Sequence, residues 1–283
     1  MNKRPSIKTL VLQSHSFLWN NAGLALFYIK QLLIPAIIIV PLAFLAEHLL
    51  EEQYDDIGKL IYFFTMLYFH TCFALMWYRA NLLGPSRSHK INALRLKLSE
   101  FKFITTSITL FITIWTPTFV FLAYTMTIFY MIGTNQASMT SLLIYSLSMA
   151  ALTYITIKAT GYCFMLPAQA IGESTSFKQA DNISEDLTIH LIAAKATAWM
   201  IASIASFIPG AIAIVLLLVI EYFNADLLPE ELNSTASEYI LSLIFLEAPW
   251  IIIYIYLTAI NAGILSHLYK WATASASGPS ARS

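Results

Sequence analysis

Residues 103–132, FITTSITLFITIWTPTFVFLAYTMTIFYMI, form a long apolar run without a charged side chain. A helix that crosses the hydrocarbon core of a membrane needs about 20 largely apolar residues. Because lipid offers the backbone no hydrogen-bond partners, such a run forms a helix rather than a strand. The run therefore predicts a membrane-spanning helix, and Pro117 lies near its middle.

Five more stretches of the chain are apolar enough to cross a membrane. With the first, they predict six spans, near residues 28–48, 57–78, 103–132, 139–166, 190–220 and 239–268. A hydrophobic fraction of 58% and a charged fraction of 11% agree with an integral membrane bundle. We therefore expect an all-α fold with one six-helix domain over residues 1–272. Residues 1–27 form its amphipathic lead-in, and 273–283 are expected to be a disordered tail.

Basic residues are confined to one side of this arrangement. Every Lys and Arg except Lys59 lies in, or close to, a terminus or connection on the same side of the six spans. The opposite side carries acidic connections, at residues 47–56 and 221–238. Because Lys and Arg resist translocation, the basic side faces the cytoplasm. Both termini are therefore expected to be cytoplasmic.

Two cytoplasmic segments are amphipathic and point to lipid as a partner. Leu10, Val11 and Phe17 interleave with polar residues ahead of the first span, which predicts a helix lying at the membrane interface. A soluble helix packed on the bundle is the alternative. The basic connection 87–102 is expected to meet anionic headgroups, or else to be a solvated loop that only sets topology. No basic stripe exceeds what topology requires, so nucleic acid is not an expected partner.

A few polar side chains inside the predicted spans are candidates for a site. Glu247 is the one acid within a span, where a carboxyl needs a cation, water or a proton, unless it reaches the outer interface. His70 lies deep in the second span, where its ring either serves a function or simply donates to a neighbouring oxygen. Thr109 and Thr113 precede Pro117, and they either line a polar cavity or bond back to their own helix.

Small residues recur at every fourth position of the fifth predicted span. They are Ala194, Ala198, Ala202, Ser206 and Gly210. Small side chains let helix backbones approach closely, so this stripe predicts an interface within the chain, or alternatively a homodimer seam. The sequence contains no phosphate-binding glycine loop, metal-spaced His or Cys cluster, or serine elbow. No cofactor or metal is therefore expected, and the chain is not expected to be an enzyme.

A weak internal repeat is also visible. Two returning spans end in similar turns, LLGPS at residues 82–86 and AIGES at residues 170–174. The pattern suggests three helical hairpins, each with an interfacial lead-in. Chance similarity among apolar sequences is the alternative.

The stretch that follows the fourth span resembles a known family. Residues 164–168 read FMLPA, residues 176–180 read SFKQA, and Ser184 follows. This is similar to the six-helix membrane domain attached to some glycerophosphoryl diester phosphodiesterases, and to stand-alone bacterial inner-membrane proteins of unassigned role. The resemblance implies a multi-pass protein of the bacterial inner (plasma) membrane. It also implies an amphipathic helix after the Leu-Pro-Ala element.

The chain departs from that family at two points. The arginine that commonly precedes Leu-Pro-Ala is replaced by Tyr162 and Cys163, and a phosphodiesterase domain is absent from the sequence. We therefore expect a non-enzymatic scaffold or accessory subunit with a membrane-protein partner. The alternative is a small transporter or permease-like protein in which Glu247, His70 and the threonine face line a cavity.

Overall fold

The computed structural model describes residues 4–87, 96–133, 139–204 and 248–276, and these ranges are helical without any strand. The helices are α1 (Ile7–Asn20), α2 (Ala22–Leu83), α3 (Leu98–Gly133), α4 (Met139–Tyr162), α5 (Met165–Ala170), α6 (Phe177–Ser184), α7 (Thr188–Ile204) and α8 (Ala248–Ala276). A short 3-10 helix covers Pro85–Arg87. The expected all-α fold is confirmed for this part of the chain.

Several helices are long enough to cross a membrane. By length and composition, the qualifying stretches among the described residues are Ala22–Ile39, Leu98–Ile132 and Leu143–Ala170. A fourth is added if α6 and α7, which meet at 78°, count as one bent span. Much of the apolar surface of α3 and α4 is exposed, as lipid-facing surface would be. The exposed side chains include Phe119, Leu122, Met126, Phe129, Tyr130, Leu143, Ile144 and Leu147.

Helix α2 contains both of the first two predicted spans and reverses direction between them. A straight helix would place Tyr28 and Trp77 about 70 Å apart. Their ring centroids are 6.3 Å apart instead, so the chain folds back between these residues. The acidic stretch 49–56, expected as a connection, is helical, and its Glu, Gln and Leu residues are all good helix formers.

Helix α3 packs antiparallel to the second limb of α2. The rings of Tyr78 and Phe103 are 5.8 Å apart near one end of the pair. Those of Phe63 and Phe111 are 6.1 Å apart further along. Residue numbers thus fall along one helix as they rise along the other.

The remaining long helices continue this alternation. Helix α4 packs on α3 through the stacked rings of Tyr124 and Tyr145, 5.6 Å apart. Helix α7 starts beside the end of α4, where Thr188 approaches Gly161. Helix α8 runs parallel to the second limb of α2, because His70 faces Thr258 and Asn81 faces Lys270. Consecutive long segments therefore run in opposite directions wherever the structure describes their contacts.

The buried core lies at the end of the bundle where α2 ends and α3 begins. It gathers side chains from α1, α2, α3, α5, α7 and α8. The largest fully buried ones are Trp77, Tyr28, Phe103, Phe164, Leu10, Leu75, Met76, Leu187, Leu191, Ile260, Ile264 and Leu265. The predicted topology assigns this end to the cytoplasmic face.

Helix α1 packs on the bundle, which matches the second of the two alternatives for the N-terminal segment. Ser6 caps its start by accepting from the backbone N–H of Thr9 at 3.1 Å. Leu10, Val11 and Ser14 are buried on one face. Trp19 remains 71% exposed on another. The helix therefore buries one face against the bundle and leaves apolar side chains such as Trp19 exposed on another.

A close approach between α1 and α8 depends on Gly263. A Cβ atom at this position would lie 2.9 Å from both Cβ and Oγ of Ser14 and 3.4 Å from its Cα. Rotating the serine hydroxyl cannot relieve the contacts with Cβ and Cα. The two helices can pack at this distance only because residue 263 lacks a side chain.

Replacing Gly263 with alanine should therefore destabilise the protein, by about 1–3 kcal/mol for an overpacked contact. Gly23→Ala is the matched control, because a Cβ atom there meets nothing within 4 Å. That control should be neutral or stabilising by up to about 1 kcal/mol, as expected for glycine to alanine in a helix. Thermal unfolding of both variants in the same detergent checks the difference. Equal midpoints would show that the α1–α8 contact is dispensable.

Two other details bear on the sequence predictions. The turns after α2 and α5 both use a glycine with positive φ, 90° at Gly84 and 89° at Gly172, which supports their proposed similarity. The disordered tail was expected to begin at residue 273, but residues 273–276 are still part of α8. There the Thr273 and Ser275 hydroxyls donate to helix carbonyls one turn back, so these small polar residues do not interrupt the helix.

Candidate functional site

A chamber of about 400 Å³ lies between α2, α3, α4, α7 and α8. Its size is that of a ligand pocket. The lining includes Leu67, His70, Ala74, Ser107, Leu110, Trp115, Thr156, Thr160, Lys195, Trp199, Tyr254, Thr258 and Asn261. The walls are mostly aromatic and aliphatic, with a few polar groups that converge from different helices.

The polar group with the clearest geometry is His70. Its Nδ1 lies 3.0 Å from Thr258 Oγ1, and its ring packs against that of Tyr254 at 4.5 Å. Thr258 already donates its hydroxyl proton to the Tyr254 carbonyl at 2.7 Å. The nitrogen of His70 that faces Thr258 must therefore carry the hydrogen and donate it. This is the simple hydrogen-bonded arrangement that the sequence offered as one alternative.

Three other polar groups of the chamber lack partners among the described residues. The oxygens Ser107 Oγ and Asn261 Oδ1 are buried without a hydrogen bond. Lys195 forms no ion pair with a described residue, although it lines the chamber. Buried polar atoms are nearly always hydrogen-bonded in native proteins. The chamber thus presents one cation and two polar oxygens that remain available to a ligand or to water.

An apolar groove adjoins the chamber. It has a volume of about 450 Å³ and is lined by Pro117, Leu152, Thr153, Thr156, Ile157, Ile189 and Ile192. Thr156 and Ile192 also line the chamber. The two cavities are therefore neighbours, one with polar groups and the other almost wholly apolar.

The threonine face of α3 does not belong to this chamber. Thr109 donates to the Thr105 carbonyl at 2.9 Å, and Thr113 donates to the Thr109 carbonyl at 2.7 Å. Both side chains are exposed. Their four-residue spacing places them on a different face from Ser107, Leu110 and Ile114, which do line the chamber. The structure thus brings His70 to the cavity but not Thr109 or Thr113.

The other predicted residues are placed only in part. Glu247 lies outside the described residues, as do Ser206 and Gly210 of the small-residue stripe. Ala194, Ala198 and Ala202 are buried in α7, with exposures of 0%, 0% and 3%. The described part of the stripe thus faces the interior of the bundle.

A buried ion pair joins three helices next to Tyr78, a residue of the chamber lining. Arg79, at the end of α2, donates through a terminal nitrogen to Glu100 Oε1 at 2.9 Å, and through Nε to the Ala170 carbonyl at 2.8 Å. Glu100 in the first turn of α3 also accepts from the Lys97 backbone N–H at 2.9 Å. The side chains of Arg79 and Glu100 are only 11% and 5% exposed. This pair fixes the ends of α2 and α5 against the start of α3.

The end of α8 is held by two further hydrogen bonds. Lys270 Nζ donates to the Asn81 carbonyl at 2.6 Å, and the Tyr269 hydroxyl donates to Glu173 at 2.8 Å. Burial and the contact with Glu173 raise the pKa of Tyr269, while burial lowers the pKa of Lys270. Tyr269 therefore stays protonated and remains a donor around neutral pH.

Some of these residues could have been recognised in the sequence. Lys195 lies inside the predicted span 190–220, and an ionisable residue within a span is a candidate functional group by default. Ser176 and Gln179 form a capping box at the start of α6, which the Ser-x-x-Gln spacing signals. The pairing of Arg79 with Glu100 carries no comparable signature.

Comparisons with protein-family models, with curated proteins and with solved structures found no match. Among the described residues, no group of three or more His, Cys, Asp or Glu side chains is arranged to hold a metal ion.

Proposed function

We propose that this chain is a multi-pass protein of the bacterial inner membrane that binds a small amphipathic molecule in the chamber, as a transporter or permease-like unit does. The observation that carries the proposal is the chamber itself. It combines ligand size, apolar walls and polar atoms that have no partner among the described residues, and such features are typical of small-molecule sites. No chemical change of the ligand is part of the proposal.

The topology proposed with it has six spans and cytoplasmic termini. The alternating direction of the long helices supports it, as does the reversal within α2. Under this topology the buried core and the Arg79–Glu100 pair lie at the cytoplasmic face, and the chamber lies in the adjacent half of the bilayer. Kinship with the six-helix inner-membrane family is supported by α6, where Ala180 and Ser184 of the Ala-x-x-x-Ser pattern are both buried.

A chamber-filling substitution tests the binding role. Ala74 lines the chamber and is 9% exposed, so Ala74→Phe adds a ring where the ligand would lie. Trp115 and Trp199 also line the chamber and report on it when quenched by bromine. The protein in nanodiscs would be titrated with dibromostearate and with its methyl ester.

We expect a saturable quenching component in the wild type, on top of the linear component from probe dissolved in the bilayer. Ala74→Phe should lower the probe affinity of this saturable component at least about tenfold, because the added ring blocks the pocket. Ala123→Phe is the control, because Ala123 is exposed on α3 and does not line the chamber. A wild type with only linear quenching by both probes would refute the binding role and favour the scaffold or accessory role.

A further inference from the structure

The position of Lys195 gives the chamber a cationic end. On α7, Ile192, Lys195 and Trp199 follow one another at helical spacing and all line the chamber. The neighbouring face, with Leu191, Ala194 and Ala198, is fully buried against the bundle. The side chain of Lys195 is thus directed to the chamber by the register of its helix.

The charge on Lys195 has no protein partner among the described residues. Two acids of the described bundle pair with other cations, Glu100 with Arg79 and Asp181 with Lys158 at 3.0 Å. Glu247 is an acid that the predicted topology places near the outer end of the sixth span, whereas Lys195 lies near the inner end of the fifth. A charged side chain costs about 2.5–3.5 kcal/mol at the centre of a membrane span on insertion scales, and less toward the end of the span. An anion in the chamber would offset that cost.

The adjoining groove suggests what else the ligand carries. Thr156 and Ile192 border both cavities, so one molecule can occupy the chamber and the groove together. The groove walls at Pro117, Leu152, Ile157 and Ile189 offer apolar contact to a chain. In the proposed topology the chain comes from lipid and not from water, so this contact positions the chain beside the head and adds little transfer free energy.

We propose that the ligand is a single-chain amphiphile with an anionic head, of carboxylate or phosphate type, bound at Lys195 with its acyl chain in the apolar groove. Asn261 and Ser107 line the same chamber and offer further polar contacts for the head. The inference rests on the binding role proposed above and specifies the ligand class for the same site.

Dibromostearate and its methyl ester have the same acyl chain, but only the acid carries a charge. Comparing the two probes therefore distinguishes recognition of the head from recognition of the chain. At a pH that ionises the carboxyl group, the acid should bind at least about tenfold more tightly than the ester, as measured by saturable quenching. This ratio corresponds to one charge-assisted hydrogen bond. Lys195→Gln should abolish that difference, and Lys195→Arg should keep it. Thermal unfolding of both variants checks that they remain folded.

The possible results test the anionic head, the role of Lys195 and the acyl chain separately. Saturable binding of acid and ester with equal affinity would overturn the anionic head and leave the binding role intact. Unchanged acid binding in folded Lys195→Gln would overturn the assignment to Lys195. Inorganic phosphate should not displace dibromostearate, since it lacks a chain. Displacement by phosphate alone would identify a soluble-anion site and overturn the amphiphile.

Discussion

Replacing Arg79 with methionine should lower the free energy of unfolding by about 3–5 kcal/mol, the cost of leaving one member of a buried ion pair without its partner. The Glu100 side chain, 5% exposed in the wild type, would keep the Lys97 backbone N–H as its one hydrogen-bond donor among the described residues. The Ala170 carbonyl would lose its donor as well. The contact between α2, α3 and α5 would lose both of these Arg79 interactions at once.

Two comparisons make this prediction specific. Arg4 also pairs with an acid, Asp186, at 3.4 Å, but the side chains are 41% and 80% exposed. Arg4→Met should therefore cost no more than about 1 kcal/mol. Combining Arg79→Met with Glu100→Gln should cost less than the sum of the single changes, because the second change removes the stranded charge. Denaturant titration of the purified proteins measures the unfolding free energies of Arg79→Met, Glu100→Gln, their combination and Arg4→Met. An Arg79→Met effect as small as that of Arg4→Met would contradict the prediction.

Arginine at position 79 matters for its shape as well as its charge. Its Nε and terminal nitrogen reach two acceptors that lie on different helices. A lysine offers a single ammonium group and cannot reproduce this fork. Arg79→Lys should thus fall between the wild type and Arg79→Met in stability.

The sequence was sufficient for features that depend on periodicity. The apolar run at 103–132 appears within α3, and the buried Ala194 and Ala198 follow from four-residue spacing. In both cases the physical cause is local, because neighbours along one helix decide which face is apolar. The amphipathic helix α6, in which Ala180 and Ser184 are buried, was expected only from the family resemblance.

The chamber could not be predicted in this way, because its walls come from residues far apart in the chain. His70 and Thr258 meet only because α8 packs parallel to the second limb of α2. Asn261 looks like an ordinary span residue until those helices are assembled, and the sequence does not show that Lys195 lines the same cavity. The threonines of α3 illustrate the reverse error, since Thr109 and Thr113 have suitable chemistry but lie on another face. Tertiary packing determines which residues line the chamber and which face of α3 is exposed, and sequence periodicity does not encode that packing.

Membrane topology is the prediction with an all-or-none outcome. Glu52 lies in the acidic stretch between the two limbs of α2, and Ser86 follows the turn at Gly84 after the second limb. Because α2 folds back between Tyr28 and Trp77, a second crossing by residues 57–78 places positions 52 and 86 in different compartments. Ser174 follows the matching turn at Gly172 and should share the compartment of Ser86.

Single cysteines at positions 52, 86 and 174 would test this in a background from which the buried Cys72 and Cys163 have been removed. A membrane-impermeant maleimide added to right-side-out spheroplasts should label position 52 and leave 86 and 174 unreacted until the membrane is opened. Labelling of 52 and 86 from the same compartment would exclude the second crossing and with it the six-span arrangement. Lys and Arg residues near both turns are expected to hold the two turns on the cytoplasmic side. Labelling of positions 86 and 174 from different compartments would therefore show that the two turns are not equivalent.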